Sequence, residues 1–362
     1  MLRVAVLINL APRKLGTFEL WLAALAAEAR LRGHRMDVFG HEPVHPVIAG
    51  QLRDLGAGWN RIAQLERHPF ASVRRLARDY DVLHLNLFGP RARTSLIAYA
   101  AWPARTLFVN RHSMIEPGVI RAASARRLLD RISLARVAGV ASISRFVKAW
   151  TDERYALKPA ESRVIYNGID VERFTPPPAT RAANGKVRVL AAAFLRPDKG
   201  MHHAVGAFAL LRDSSATLQI AGDGPEQSRL IDRARSLGIQ DRVEFLGLRN
   251  DLPQLLNGAH IFVHPVVSQE AFGNTLAEAM ASGCAVIASR VGAIPEIIED
   301  GVSGLLVDAG DETGIASALN RLILDSGERD RLGMNARKRV VERFSLARCV
   351  REHFDWCEDI AR

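Results

Sequence analysis

The chain has few cysteines and lacks long apolar runs, and each shortage excludes a class of protein. The three cysteines, Cys284, Cys349 and Cys357, include no C-x2-C pair, so we expect a reduced compartment and no structural zinc. No uninterrupted stretch reaches the roughly 18 apolar residues that a membrane-spanning helix needs. The segment MLRVAVLINLAP has the pattern of a buried strand and lacks the longer apolar region and cleavage site of a signal peptide. We therefore expect a cytoplasmic protein, with any membrane contact peripheral and on the inner face of the cytoplasmic membrane.

Positive charge is unevenly distributed along the chain. Residues 1–180 carry 27 Lys and Arg against 15 Asp and Glu, which leaves 22 against 24 for residues 181–362. A basic first half could serve nucleic acid, an anionic membrane or an anionic substrate, or could consist of ordinary solvated arginines. No helix-turn-helix, zinc or RNA-binding signature is present, so we expect no nucleic-acid partner.

Short apolar runs alternate with longer amphipathic stretches, which favours parallel sheets covered by helices. The predicted strands of the first half are 3–8, 34–40, 81–86, 106–112, 139–144 and 163–168, with a helix over 18–33. The predicted strands of the second half are 187–194, 217–225, 243–247, 260–265, 285–289 and 304–307. Residues 328–362 are predicted to be helical.

A proline-rich segment separates the two halves. Pro176 to Pro178 cannot continue a helix or occupy a central strand, and Asn184-Gly185 favours a turn. We expect an α/β protein with two doubly wound, Rossmann-like domains facing each other across a cleft. The predicted boundaries are a first domain over 1–172, a linker over 173–186, a second domain over 187–340, and a helix over 341–362 that packs back toward the first domain.

The loops that follow strands are where such sheets bind ligands. After the strand ending at Phe194, Arg196 and Lys199 flank a turn, and two cations there suit a diphosphate. In AGDGP, Gly222 permits a sharp turn and a close approach of the backbone. The plainer readings, solvated loop charges and a simple turn, remain open on these residues alone.

The stretch SQEAFGNTLAEAMASG, residues 268–283, places two carboxylates around a predicted helix start. The segment from Gly273 to Thr275 begins the helix, where backbone N–H groups and the helix dipole suit an anion. Glu278 lies about one turn further on, and Glu270 precedes the helix. Backbone amides would bind a phosphate, and the carboxylates beside them would accept hydrogen bonds from hydroxyl groups. This combination would suit a phosphate joined to a sugar.

Several motifs together resemble retaining glycosyltransferases of family 4, which have the two-domain GT-B fold. The resemblance rests on E-A-F-G-N-T-L-A-E-A-M-A-S-G-C-A-V-I-A-S, on G-A-I-P-E-I-I-E-D-G-V-S-G-L-L-V behind it, and on R-P-D-K-G, A-G-D-G-P, V-E-F-L-G and V-I-Y-N-G-I-D-V-E-R-F. They occur in the expected order and span most of residues 163–308. Nucleotide-sugar-dependent glycosyl transfer is therefore expected.

The resemblance implies a role for each matching residue. Arg196 and Lys199 would hold the diphosphate, Glu278 would bind the ribose hydroxyls, and Glu270 would face the donor sugar. Backbone from Phe272 through Gly273 and Asn274 to Thr275 would contact diphosphate and sugar. Arg242, Val243 and the residues up to Phe245 would flank the base.

The first domain matches this family less well. Leu15 replaces the first glycine of a Gly-Gly loop, but Gly16 is present, and its loop would still bring backbone amides to the diphosphate or the acceptor. Asn86 stands where a second histidine is common, and we expect it on the acceptor side. His112 occupies a position where a histidine commonly contacts the donor sugar. Arg111 beside it would reach a phosphate or an acidic acceptor.

The expected substrates follow from the resemblance. A nucleotide-diphosphate sugar would be the donor, and a carbohydrate or lipid-linked molecule the acceptor, in cell-surface polysaccharide, lipopolysaccharide or glycolipid synthesis. No D-x-D stands at a convincing strand end, so we expect no obligatory metal. The basic stretches 74–78 and 119–137 leave peripheral contact with an anionic membrane open. An epimerase of the same fold and a catalytically impaired relative remain alternatives.

Overall fold

A computed structural model gives the fold of residues 1–12, 16–62, 69–86, 105–110, 137–155, 162–177, 186–211 and 216–362. These residues form two compact units. One is Met1–Gly168 together with Leu346–Arg362, and the other is Ile169–Ser345. The chain therefore leaves the first unit after Gly168 and returns to it at Leu346.

A parallel sheet forms the centre of the first unit. Its described strands are β1 Arg3–Ile8, β2 Arg35–Gly40, β3 Gly58–Arg61, β4 Val82–Asn86, β5 Arg105–Asn110, β6 Gly139–Ser142 and β7 Ser162–Val164. They run in the order β3-β2-β1-β4-β5-β6-β7. In β1, Val4 pairs with Met36 of β2 and with Val82 of β4, so the centre of the sheet is apolar on both sides. This continuous hydrophobicity is typical of a sheet with both faces covered.

Helices cover the sheet of the first unit. Those described are Thr17–Leu31, Pro46–Asp54, Pro69–Asp79, Arg145–Tyr155 and, from the end of the chain, Leu346–Ala361. The last helix buries Phe354 and Trp356 in the same core as Trp21 of the first helix. Gly139 of β6 makes room for Trp356, since a Cβ there would lie 2.4 Å from the indole ring. The last helix is thus an integral part of the first unit.

The second unit contains another parallel sheet. Its strands are β8 Val187–Ala192, β9 Ala216–Ala221, β10 Val243–Gly247, β11 Ile261–His264, β12 Ala285–Ser289 and β13 Leu305–Val307, in the order β10-β9-β8-β11-β12-β13. The described helices are Met201–Ala209, Gln227–Ser236, Leu252–Gly258, Asn274–Ala281, Ile294–Ile297, Glu312–Leu324 and Ser326–Arg343. Short 3-10 turns cover Pro197–Lys199 and Gln240–Arg242. The strand order reverses between β8 and β11, where such sheets bind ligands at the carboxyl ends of the strands.

The expected fold class, with two Rossmann-like domains of parallel strands and helices, is confirmed. One strand, Gly58–Arg61, was not predicted, because it is short and polar and lies at the edge of its sheet. The predicted helical end is broken at Phe344, so that it forms two helices, Ser326–Arg343 and Leu346–Ala361. Residues 178–185 of the predicted linker lie outside the described residues.

Candidate functional site

The loop after β8 is fixed by close contact with the loop after β11. Gly200 ends the 3-10 turn with a φ of 65°, and a Cβ there would lie 1.8 Å from the carbonyl oxygen of Pro265. Val267 donates its backbone N–H to the carbonyl of Asp198 at 3.1 Å. Only glycine permits this approach, because a side chain at Gly200 would collide with backbone. The two loops therefore form one structure at the point where the strand order reverses.

An ion pair links these two loops. The Lys199 ammonium donates a 2.7 Å hydrogen bond to Oε2 of Glu270, and both side chains are mostly buried, with 24% and 14% of their surfaces exposed. The two residues are 71 positions apart in the chain. Partial burial strengthens their attraction relative to a surface pair, because less water screens it. Two of the predicted catalytic residues are thus in contact.

Arg196 has a different environment from Lys199. Its guanidinium makes two hydrogen bonds to the carboxylate of Asp198, at 2.8 and 2.7 Å, and is largely exposed. The hydrogen bonds from Arg196 hold the pKa of Asp198 below its usual range. Arg196 lies in the predicted loop, but its charge is already engaged by a carboxylate. Lys199 is therefore the cation that this loop presents beside Glu270.

The predicted glycine turn after β9 supports the loop after β8. Gly222, with a φ of 136°, would place a Cβ 1.9 Å from the carbonyl oxygen of Ala193. Its N–H donates to the carbonyl of Gly247 at the end of β10. Leu195 donates its N–H to Asp223 at 2.7 Å. The structure thus gives Gly222 a packing role that joins the ends of neighbouring strands.

The helix Asn274–Ala281 begins at the same edge of the sheet. Its N-cap is Gly273, with a φ of 90° and no side chain that caps the helix. Asn274 is exposed and Thr275 is half-buried, whereas Glu278 is 6% exposed. Phe272, just before the helix, is buried against Phe344 at 5.7 Å between ring centroids. Asn274 is thus the exposed residue at this helix start, where backbone N–H groups and the helix dipole suit an anion.

Residues that follow β12 also fix the segment that carries Glu270. Ala293 donates its N–H to the carbonyl of Glu270 at 2.8 Å, and Gly292 donates to the side chain of Gln269 at 2.8 Å. A Cβ at Gly292, whose φ is 52°, would lie 2.2 Å from the carbonyl oxygen of Glu270. Glu270 is therefore positioned by backbone contacts on both sides.

No sequence motif singles out His264, the last residue of β11. It is buried, and its Nε2 lies 4.0 Å from the Oε2 atom of Glu270. Burial lowers the pKa of His264 to about 4, an effect that Glu270 opposes and Lys199 reinforces. The imidazole is therefore neutral at neutral pH. A histidine at the end of a buried strand is usually a core residue, which is why sequence reasoning passed over it.

Arg242 and Val243 are not brought to this edge of the sheet, which corrects the expectation that they flank a base. Val243 begins β10, four residues before the carboxyl end at Gly247, and is buried. The Arg242 guanidinium lies over the ring of Phe208, 4.8 Å from its centroid. In a parallel sheet the ends of the strands that bind ligands are the opposite ones.

Asn86 lies in the interior of the first unit, at the end of β4. It is fully buried, and its side-chain amide is 2.7 Å from Nδ1 of His84, whose Nε2 is 3.2 Å from Nδ1 of His353. Direct contact between Asn86 and an acceptor, as expected from the sequence, does not fit this burial.

Gly16 is the N-cap of the first helix. Its backbone N–H donates to Oε2 of Glu19 at 3.1 Å, which is half of a capping box. The predicted site residues Arg111 and His112, and the variant position Leu15, lie outside the described residues. In the part of the chain that is described, no group of three or more His, Cys, Asp and Glu could hold a metal ion.

The second unit therefore offers one coherent arrangement of chemical groups. An ammonium, a carboxylate and a helix start without a side-chain cap meet where β8 and β11 end. A second carboxylate, Glu278, lies on the first turns of that helix. Such a set can hold a diphosphate through cation and backbone amides while carboxylates accept hydrogen bonds from hydroxyl groups.

Comparison with known protein families finds matches for both halves of the chain. A model described as "Glycosyl transferases group 1" matches residues 174–339, and one described as "Glycosyltransferase Family 4" matches residues 19–173. N-acetyl-alpha-D-glucosaminyl L-malate synthase of Bacillus anthracis is 28% identical over 78% of this chain and 76% of its own length. D-inositol 3-phosphate glycosyltransferase of Salinispora tropica is 29% identical over 79% of this chain and 65% of its own length.

Solved structures share the fold of the whole chain. Anabaena HepE in complex with UDP superimposes with a TM-score of 0.81 at 23% identity, covering 99% of this chain and 100% of that one. A glycosyltransferase of Rickettsia africae superimposes with a TM-score of 0.83 at 19% identity, covering 99% of each chain. Among the described helices, none is both long and apolar enough to cross a bilayer.

Proposed function

The chain belongs to the group 1 glycosyltransferases of GT-B fold, and we propose that it transfers the sugar with retention of the anomeric configuration. As in this family generally, the sugar comes from a nucleotide sugar. We further propose a carbohydrate or lipid-linked hydroxyl as the acceptor, in the synthesis of cell-surface polysaccharide, lipopolysaccharide or glycolipid. The proposed location is the cytoplasm. The observation that carries the proposal is the Lys199–Glu270 pair beside the helix start at Gly273.

The proposed chemistry is departure of a nucleotide diphosphate from the anomeric carbon. Negative charge grows on the leaving phosphate while positive charge grows on the sugar. Groups fixed in advance around that phosphate lower the barrier, since they interact more strongly with the transition state than with the bound substrate. Lys199 and the backbone amides from Gly273 to Thr275 would supply this stabilisation, and Glu270 would face the sugar.

Retention requires the acceptor to arrive on the face from which the diphosphate leaves. In the proposed scheme the departing phosphate oxygen takes the proton of the acceptor hydroxyl, so the protein needs no separate base at that point. Arg196 would meet the diphosphate only by exchanging part of its contact with Asp198. Arg111 and His112 remain proposed contacts for acceptor and donor sugar.

The nucleotide itself would be recognised by Glu278. A carboxylate accepts hydrogen bonds from two vicinal hydroxyls, as a ribose presents them. The solved structures of Anabaena HepE contain UDP and UDP-glucose, so uridine diphosphate sugars are the first donors to test. Glucose is proposed only as the starting point of that series.

Donor binding and product stereochemistry test the proposed function. The purified protein is screened by thermal shift against UDP-, GDP- and ADP-sugars, and each stabilising donor is then incubated with candidate acceptor lipids or glycans. We expect one donor class to raise the melting temperature and to yield a product with the donor's anomeric configuration by NMR. A product with inverted configuration would refute retention, and conversion of the free nucleotide sugar to its epimer would refute transfer.

Peripheral contact with an anionic membrane is proposed from the helix Pro69–Asp79. Arg74, Arg75 and Arg78 on this helix are exposed, whereas Leu76 and Ala77 are buried. The other basic stretch, 119–137, lies almost wholly outside the described residues. Each arginine near an anionic surface contributes about 1 kcal/mol to binding.

Liposome flotation tests this contact. We expect the protein to float with vesicles containing anionic phospholipid, to remain behind with neutral vesicles, and to be released by high salt. A triple variant, Arg74→Gln, Arg75→Gln and Arg78→Gln, should bind less. The matched control replaces Arg229 and Arg235, two exposed arginines of the second unit, and should float like the native protein. Equal flotation with neutral and anionic vesicles would dismiss the proposal.

A further inference from the structure

His264 is a polar side chain buried directly beneath the proposed site. It is 4% exposed, and in the described part of the chain neither ring nitrogen has a hydrogen-bond partner. A buried imidazole that makes no hydrogen bond is costly, because it gives up its bonds with water and gains nothing in return. The other residues of β11 are buried and apolar, so an apolar side chain at position 264 would pack among them without this cost.

Lys199 and His264 converge on one atom. The Lys199 ammonium already bonds to Oε2 of Glu270 at 2.7 Å, and Nε2 of His264 is 4.0 Å from that same oxygen. A displacement of about 1 Å would bring the imidazole within hydrogen-bonding distance of the carboxylate. Two donors therefore face one carboxylate oxygen, and Lys199 is the one bonded to it in this structure.

We propose that His264 is a positioning residue for Glu270, donating its Nε2–H to Oε2 when Lys199 turns to the diphosphate of the donor. This inference rests on the proposed function, since it assigns the ligand of Lys199. The exchange keeps Glu270 hydrogen-bonded and aimed at the sugar after its ammonium partner has left. Without His264, donor binding would leave a mostly buried carboxylate with one fewer donor.

The charges around His264 fit such an exchange. The charged groups that face it are Glu270 and Lys199, and its ring stacks toward that of Phe262 in the same strand, 6.4 Å away between centroids. Because burial lowers the pKa of His264 to about 4, the ring donates a hydrogen bond without adding a second cation beside Lys199. Gly273 lies next to the ring, since a Cβ at that position would be in ordinary van der Waals contact with Nε2, 3.7 Å away.

Kinetics of two substitutions test the positioning role. His264→Leu removes the donor and keeps an apolar side chain, whereas His264→Gln restores an N–H donor near the position of Nε2. We expect His264→Leu to lower kcat about tenfold or more, the effect of losing a hydrogen bond to a charged group, with little change in KM for the donor. His264→Gln should recover most of the activity. His260→Leu is the control, since His260 is equally buried just before β11 but accepts a hydrogen bond from the backbone N–H of Arg188, so kcat at saturating donor should be unchanged.

NMR of the imidazole gives a readout that does not depend on turnover. In protein labelled with ¹⁵N-histidine, the signals of His264 are assigned by their loss in His264→Gln. We expect a neutral ring with the proton on Nε2 at pH 7, and a shift of that nitrogen on addition of UDP that disappears in Glu270→Gln. A proton on Nδ1 both with and without UDP would overturn the inference, as would equal loss of kcat in His264→Leu and His264→Gln.

The two readouts separate this inference from the function on which it rests. If no donor and acceptor yield a transfer product but the imidazole responds to UDP through Glu270, the proposed reaction is wrong and the His264–Glu270 coupling stands. If transfer is observed while the imidazole is indifferent to UDP and His264→Leu is fully active, the reaction stands and the positioning role is wrong.

Discussion

Gly200→Ala is expected to destabilise the second unit by about 3–5 kcal/mol and to abolish nucleotide binding. A left-handed φ costs a non-glycine residue roughly 1–2 kcal/mol, and the rest comes from the contact with Pro265. A Cβ at Gly200 would lie 1.8 Å from the carbonyl oxygen of Pro265, which is backbone and cannot rotate away. Relief requires the loop of Lys199 to separate from the loop of Glu270.

Gly238→Ala is the matched control for this substitution. Gly238 has a φ of 68°, nearly that of Gly200 at 65°, but a Cβ there would meet nothing within 4 Å. Only the conformational penalty then applies, so the loss should be roughly 1–2 kcal/mol with nucleotide affinity unchanged. The difference between the two variants isolates the contact between the loops.

Thermal unfolding and calorimetric titration with UDP measure both effects. For a unit of this size, 1 kcal/mol corresponds to about 2–4 °C, so Gly200→Ala should melt about 10 °C lower than the native protein. If Gly200→Ala melted within a degree of Gly238→Ala and bound UDP normally, the close packing of the two loops would be wrong.

Strands and loops of this fold could be predicted from the sequence because their signals are local. Short apolar runs located the strands β8 to β12 to within a few residues, Gly222 marked a turn, and Gly273 marked the start of a helix. The edge strand Gly58–Arg61 has no apolar run and depends on pairing with β2, which is a tertiary contact. Propensity alone does not reveal such a strand.

The site could be predicted only in part, because its contacts join distant segments. That Lys199 and Glu270 touch follows from the neighbouring positions of β8 and β11 in the sheet, which no spacing in the sequence encodes. The Arg196 guanidinium is hydrogen-bonded to Asp198, and this pairing depends on the local geometry of the loop. The burial of His264 beside Glu270 results from tertiary packing, which no sequence pattern shows. The role of Arg242 came from the family motif, although its position just before the strand that begins at Val243 places it at the amino end of that strand.

Lys199→Ala is expected to lower kcat by about 10²–10³ while the affinity for UDP falls less than tenfold. The reason is that the diphosphate gains charge as the sugar leaves, so a fixed ammonium stabilises the transition state more than the bound donor. Lys199 is held for this role by its 2.7 Å bond to Glu270 and by the turn that ends at Gly200. Lys186→Ala is the control, since Lys186 is an exposed lysine just before β8 in the same unit.

Glu278→Ala should show the opposite pattern. Loss of hydrogen bonds from ribose hydroxyls to a charged acceptor should weaken UDP binding about tenfold or more, with a smaller change in kcat at saturating donor. Comparing kcat with the calorimetric dissociation constant of UDP in the three variants separates the roles. If Lys199→Ala kept kcat within about twofold and raised only KM, its charge would serve binding alone. Unchanged UDP affinity in Glu278→Ala would remove that residue from the proposed nucleotide site.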